Sequence, residues 1–303
     1  MRSGSRKVVY AALAGNLLIA VTKFIAAAMT GSSAMLSEGV HSVVDTGNQA
    51  LLLYGMRRAS QPADEAFPFG HGKEIYFWSF VVALLVFAAG AGVSLYEGVH
   101  HLRHPVAMQD PHVNYVVLAL AALFEGGSWS VAFREFRVRS GGRNFIEAVR
   151  VAKDPTDFAV LLEDSAALAG IAVAFAGVLL GELTGNPLFD GAASIVIACI
   201  LAGTAWWLAR ETKGLLIGES ANREVVARIR RLAEHHPCVN RVHEVLTMHV
   251  GPDFILANVS IEIPPHVSRG QAHAVLEQLD REIKESDSRV KRVFIESQPA
   301  LPT

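Results

Sequence analysis

The segment 35-MLSEGVHSVVDTGNQALLLYG-55 is apolar over most of its length, yet His41 and Asp45 stand four residues apart within it, with Glu38, Asn48 and Gln49 nearby. In a helix, residues i and i+4 share a face, so the imidazole and the carboxylate project together. If that helix lies in lipid, each ionisable group costs about 2.5–3.5 kcal/mol on insertion scales. Groups retained against such a cost point to function. A structural alternative is that His41 bonds a carbonyl and the nearby acids pair with Lys23 or Lys153.

The surrounding chain supports a membrane setting. Of its 303 residues, 51% are hydrophobic and only 18% are charged, against about 25% in soluble domains. The shortfall lies in the first two thirds, and the last third has an ordinary soluble composition. We therefore expect a membrane domain over 1–218 and a small globular domain over 219–303. Cys199 and Cys238 lie far apart, which gives neither a disulfide framework nor a paired-cysteine zinc signature. A net charge of −2 offers no case for nucleic acid as a partner.

A hydrocarbon core of about 30 Å needs roughly 20 apolar residues of helix. The segments 11–29, 35–55, 76–99, 113–133, 158–180 and 188–209 meet this, the second and fifth weakly because of their polar residues. Lysine and arginine flank them unevenly. Arg2, Arg6 and Lys7 precede the first span, and Arg57, Arg58 and Lys73 follow the second. Arg134, Arg137, Arg139, Arg143, Arg150 and Lys153 follow the fourth, and Arg210 and Lys213 follow the sixth. The alternate connections carry Arg103 alone. The positive-inside rule then places both termini in the cytoplasm, or in the matrix of an organelle. The opening MRSGSRK is basic but lacks a small-residue cleavage site, so it reads as the start of a retained span. Its shortness, with no evident transit peptide, favours a bacterial inner membrane.

After Gly218 the pattern changes. Residues 222–237 and 268–286 show helical spacing, with Ser268 as a cap, and 241–250, 254–263 and 290–297 read as strands. The order αββαβ suggests a ferredoxin-like module. The expected fold is thus an α-helical membrane protein with six transmembrane helices, followed by a cytoplasmic α/β domain.

A neutral imidazole and a carboxylate are ligands for zinc and similar divalent metals. Two do not hold a metal alone. The fifth span, 157-DFAVLLEDSAALAG-170, adds Glu163 and Asp164 inside an apolar run. Consecutive helical residues point about 100° apart, so at most one faces His41 and Asp45 squarely. Asp157 shares the face of Asp164 but lies about 10 Å along the axis, as an entrance residue would. Asn16, Asn48 and Gln49 read as helix–helix hydrogen-bonding groups.

The stretches 31-GSSAMLSEGVHSVVDTGNQ-49, 69-FGHGKE-74 and 96-YEGVHHLRHP-105, with the six-span-plus-tail layout, resemble the cation diffusion facilitator family over nearly the whole chain. The resemblance implies a homodimer in the lipid bilayer that exchanges a cytoplasmic divalent cation for protons, with no organic cofactor. It implies a central site with an HxxxD pair on span two, matched by His41 and Asp45. It implies a second pair on span five, where Asp164 aligns with the aspartate and Gly170 with the motif glycine. Val160 stands where the family has a histidine, leaving Glu163 or a water for the fourth position. Loss of a nitrogen ligand leaves zinc (Zn2+) in competition with manganese (Mn2+), iron (Fe2+) and cobalt (Co2+). The resemblance further implies a loop site before span three, partly matched by Asp64 and His71, with Phe67 near a second histidine position. His71 serves equally well as a structural residue. In the tail, His243 and His273 match regulatory metal positions, but Ser260, Glu296 and Gln298 occupy the others, so a surface or interface role competes.

The implied mechanism is alternating access, with metal and protons competing for one deprotonated ligand set. An imidazole with a reference pKa of about 6.5 is a natural proton carrier. A metal-gated channel would need a continuous polar pore, whereas the polar residues cluster at one depth. A metal-sensing or metal-binding scaffold without transport is the other alternative. No nucleophile elbow, HExxH or phosphate loop suggests an enzyme.

Overall fold

The computed structural model describes residues 3–106, 110–140 and 153–298. Arg2, Arg143 and Arg150 fall outside the described residues, as do the side chains of residues 3–15, Arg139, Asp157 and Gln298. Two compact units emerge, Met1–Met56 with Phe77–Thr212, and Arg57–Tyr76 with Lys213–Thr303.

The first unit is helical. α1 (Ser3–Thr30) and α2 (Ser33–Ala59) are separated by Gly31, whose φ of 70° reverses the chain in a conformation that favours glycine. α3 (Glu74–Leu85) runs through a π-helical turn at Val86–Ala91 into α4 (Gly92–Arg103). α5 (Pro111–Ser140), α6 (Pro155–Thr184) and α7 (Leu188–Ile217) follow. Asp154 caps α6 by accepting from Thr156 N at 3.0 Å, and Pro155 fills the first turn, where no amide partner is needed.

Glu74–Arg103, Pro111–Val138, Phe158–Thr184 and Leu188–Ile217 are long and apolar enough to cross a membrane. The described apolar part of the first helix, Asn16–Thr30, is shorter. α2 falls short because it carries Glu38, His41, Asp45, Asn48 and Gln49. The fifth expected span is not weak, since its two acids are diluted in a long apolar helix. Leu18, Leu123, Phe124, Leu183 and Trp206 all stand exposed, as side chains that face hydrocarbon do.

Small residues bring these helices close. A Cβ at Gly98 would lie 2.7 Å from Ile195 and 2.9 Å from the Gly191 carbonyl, so α4 and α7 touch backbone to backbone. Leu118 and Ala121 of α5, Ile171 and Ala174 of α6, and Ile197 and Leu201 of α7 share one buried cluster.

The second unit holds α8 (Arg223–Glu234), β1 (Arg241–Gly251), β2 (Phe254–Glu262), α9 (Arg269–Ser286) and β3 (Val290–Gln298). The order αββαβ is the expected one. β1 pairs antiparallel with β2 through a tight turn, and β2 pairs parallel with β3 across α9. This is a three-stranded sheet, one strand short of a complete ferredoxin-like sandwich. Alternate residues Ile255, Ala257, Val259 and Ile261 bury one face of β2 with Ile229 of α8 and Leu279 and Ile283 of α9. Ser268 caps α9 in a reciprocal capping box with Gln271.

The segment between α2 and α3 belongs to this unit. Gly72 packs on the β1–β2 turn, where a Cβ would stand 2.6 Å from the Val250 carbonyl. Lys73 Nζ reaches Met248 Sδ at 3.9 Å, and Ile75 and Tyr76 share a buried cluster with Leu215.

Candidate metal centre

On α2, His41 Nε2 lies 3.4 Å from Asp45 Oδ2, and both residues are buried. The shared helix face anticipated from i,i+4 spacing is therefore present. Neither ring nitrogen of His41 has a hydrogen-bond partner among the described residues, and Asp45 Oδ1 has none either. Buried polar atoms are paired in the great majority of cases, and exceptions call for a ligand, water or ion. Among the described residues, His41 bonds no carbonyl. Lys23 pairs with the nearby Glu38, at 3.0 Å, as the structural alternative has it for one acid.

On α6, Glu163 and Asp164 are both buried and held by different helices. Glu163 Oε1 accepts from Asn48 Nδ2 of α2 at 3.1 Å, and Asp164 Oδ2 accepts from Ser128 Oγ of α5 at 2.9 Å. The roughly 100° separation of consecutive helical residues explains this division. Glu163, Glu125 and Asp164 all lie within electrostatic reach of Asp45. Asn16 Nδ2 donates to Gln49 Oε1 at 3.2 Å and links α1 to α2. Among the described residues, no three His, Cys, Asp or Glu side chains converge at ligand distance on one point.

In the 57–76 loop, His71 Nε2 and Asp64 Oδ2 are 2.9 Å apart, and Asp64 Oδ1 accepts from Phe67 N at 2.7 Å. The Phe67 ring packs on the His71 ring, with centroids 4.5 Å apart. The hydrogen bond from His71, then that from the Phe67 amide, holds the Asp64 carboxyl below the usual carboxylate range. In the tail, His243 pairs across the strands with Glu262 at 3.7 Å, and exposed His273 pairs along its own helix with Glu277 at 3.4 Å.

Residues 9–217 match the family model described as the cation efflux transmembrane domain. Residues 221–300 match that of the cation efflux protein cytoplasmic domain. The chain belongs to the cation diffusion facilitator family. It is accordingly an integral membrane protein of a family of transporters, not an enzyme. It is 35% identical over 250 residues to the human "Proton-coupled zinc antiporter SLC30A9, mitochondrial", covering 82% of this chain and 44% of the human protein. It is 30% identical over 250 residues to "Metal tolerance protein C4" of Arabidopsis thaliana, covering 82% of this chain and 55% of the plant protein. The chain thus spans about half the length of these two relatives. "Manganese efflux system protein MneP" of Bacillus subtilis is 23% identical over 302 residues, 97% of this chain and 96% of that protein.

Within the family pattern, Val160 packs in an apolar cluster with Leu161, Leu162 and Trp129. Sequence reasoning missed two polar residues around the acids, Glu125 and Ser128, and Asp190 at the start of α7. Glu125 and Ser128 sit in an expected span, and the rule that ionisable groups in spans carry function would have singled out Glu125. Asp190 was passed over because it stands near a helix end, where a carboxylate is unremarkable.

Proposed function

We propose that this chain is a divalent metal cation efflux transporter that exchanges a cytoplasmic cation for protons by alternating access. The cargo site consists of His41 and Asp45 on α2 and Asp164 on α6, with Glu163 as a partner. The observation that carries the reading is the buried His41–Asp45 pair, whose ring nitrogens and Oδ1 lack hydrogen-bond partners among the described residues, within electrostatic reach of the α6 acids. Binding of cargo would draw these groups together from their present separation.

Cargo and protons compete because ligands bind metal deprotonated. A more acidic outer side therefore protonates the ligands there, releases the metal and accelerates export. The donor set has one imidazole among carboxylates. That suits zinc and leaves manganese, iron(II) and cobalt as substrates of the same class. The zinc and manganese relatives support this breadth.

We further infer six membrane spans within a transport domain at 1–218. The second, α2, tolerates its polarity because those groups face the bundle interior. The basic connections put both termini in the cytoplasm, and a bacterial inner membrane remains our assignment. The 219–303 domain is read as a ferredoxin-like module that supports a homodimer. Asp64 bonds His71 and the Phe67 amide, which supports a loop-structuring role, while His71 Nδ1, buried without a hydrogen-bond partner among the described residues, keeps the second metal site as the alternative. His273, exposed and beside Glu277, is read as a surface residue, and half-buried His243, facing Glu262 across the strands, as an interface residue.

The test is uptake of zinc, manganese, iron(II) and cobalt into proteoliposomes with an imposed pH gradient. Saturable, gradient-dependent flux supports the carrier. Flux that does not saturate indicates a channel. Absence of flux of every metal in a folded dimer overturns transport and favours the scaffold.

A further inference from the structure

Lys23 and Glu38 form an ion pair that takes no direct part in the cargo site, yet both side chains are fully buried. Lys23 Nζ donates to Glu38 Oε2 at 3.0 Å and to Ser42 Oγ at 2.8 Å. Both acceptors lie on α2, one turn apart, and bracket His41. The second carboxylate oxygen, Glu38 Oε1, has no hydrogen-bond partner among the described residues. It is aimed at Gly170 of α6 and occupies the space a Cβ there would fill. A Cβ at 170 would force the carboxylate end of Glu38 to shift from this position, against its bond from Lys23.

The contact has a register. α2 and α6 run antiparallel. Glu38 is seven residues from Asp45 and Gly170 six from Asp164, in the same direction along the bundle. At 1.5 Å per residue, both separations are about 10 Å. Fixing Glu38 against Gly170 therefore fixes Asp45 at the level of Asp164. A buried ion pair is a poor adhesive, because desolvation offsets its attraction and apolar residues of similar volume hold helices as well. Its best-attested use is to impose register.

We propose that Lys23, Glu38 and Gly170 form a three-helix lock that positions the two halves of the cargo site. α1 holds Glu38 through Lys23, and Glu38 seats in the notch that Gly170 leaves in α6. These are positioning residues, and cargo does not touch them. The inference rests on the cargo-site reading given above.

The test is equilibrium binding of zinc and of manganese to the purified full-length protein, with initial-rate uptake in proteoliposomes alongside. Gly170→Ala pushes the carboxylate away and should weaken binding by at least about tenfold, as loss of an outer-shell support does. Glu38→Asp retracts the carboxylate by one methylene, about 1.5 Å, and should itself weaken binding severalfold. The double variant Glu38→Asp/Gly170→Ala should recover to within about threefold of wild type, because the shorter acid makes room for the methyl. A purely adhesive contact would not yield this rescue in affinity. Gly170→Ala with wild-type affinity, or a double variant no better than Gly170→Ala, overturns the lock. Should Gly170→Ala fail to fold, Ser42→Ala removes one of the two Lys23 bonds without stranding a charge. A loss of about threefold or more then supports the lock, and unchanged affinity overturns it. Wild type that binds metal with the predicted variant order but carries no flux overturns transport and leaves the lock standing. Wild-type flux with no variant effect on affinity does the reverse. Wild type that binds neither metal overturns both.

Discussion

Asn48 on α2 donates its side-chain amide to the Glu163 carboxylate on α6 at 3.1 Å. The bond joins the two helices that carry the proposed ligands. Asn48→Ala leaves Glu163 Oε1 buried without that donor. We expect a stability loss of about 1–3 kcal/mol and metal binding weaker by about tenfold to a hundredfold. Thermal unfolding in detergent and zinc titration check both. Unchanged values would show that the bond neither braces the helices nor orients the acid.

Asp190, in the first turn of α7, holds the start of α2. Its Oδ1 accepts from Ser32 Oγ at 2.5 Å, and its Oδ2 accepts from Ser33 N at 2.6 Å and Ser33 Oγ at 2.9 Å. A buried carboxylate at a helix N-terminus satisfies amides that have no partner in the helix and complements the helix dipole. Asp190→Asn removes the charge and turns one acceptor into a donor. It should cost about 1.5–3 kcal/mol, the worth of a hydrogen bond to a charged group. The expected sign is a lower unfolding midpoint for Asp190→Asn, and a midpoint equal to wild type would contradict it.

The loop pair predicts a pH dependence. The folded pKa of Asp64 is lowered, chiefly by His71. Its contribution is therefore fully present above the unfolded value of about 3.9 and is lost as pH falls through the lower folded value. Amide exchange at Phe67, whose N–H donates to Asp64, should accelerate in that acid window. Asp64→Asn should show faster exchange with no acid step. An acid step that persists in Asp64→Asn would assign it to another group.

Gly72 docks the α2–α3 loop on the β1–β2 turn, with room for no side chain toward Val250. Because the Val250 carbonyl is backbone, it cannot swing aside. Gly72→Ala should raise hydrogen exchange across 57–76 and around 248–251 while leaving the 255–261 strand protected. Equal protection in all three regions would mean the loop absorbs the methyl without undocking.

Much of this was legible in the sequence because it depends on local periodicity. The His41–Asp45 pair follows from i,i+4 spacing, the strands from alternation around Ile255 to Ile261, and the α9 start from Ser268. What escaped involves partners distant in the chain. Lys23 pairs with Glu38 rather than with the site acids, a choice made by how α1 crosses α2. Asp190 meets Ser32 and Ser33 only after α7 packs beside α2. The docking of the 57–76 loop on the tail depends on a missing Cβ at Gly72, which sequence shows as a glycine but not as a contact. The division of Glu163 and Asp164 between Asn48 and Ser128 was half visible, since helical geometry required them to diverge but did not name their partners.

The central claim is exchange of metal for protons at His41, Asp45 and Asp164. The most direct measurement is the lumenal pH of proteoliposomes, reported by a trapped dye, when zinc or manganese is added outside. Wild type should move protons opposite to the metal with saturable dependence on metal, and Asp45→Ala, folded and dimeric, should abolish both movements. Metal entry without counter-movement of protons, or full exchange by Asp45→Ala, would contradict the account.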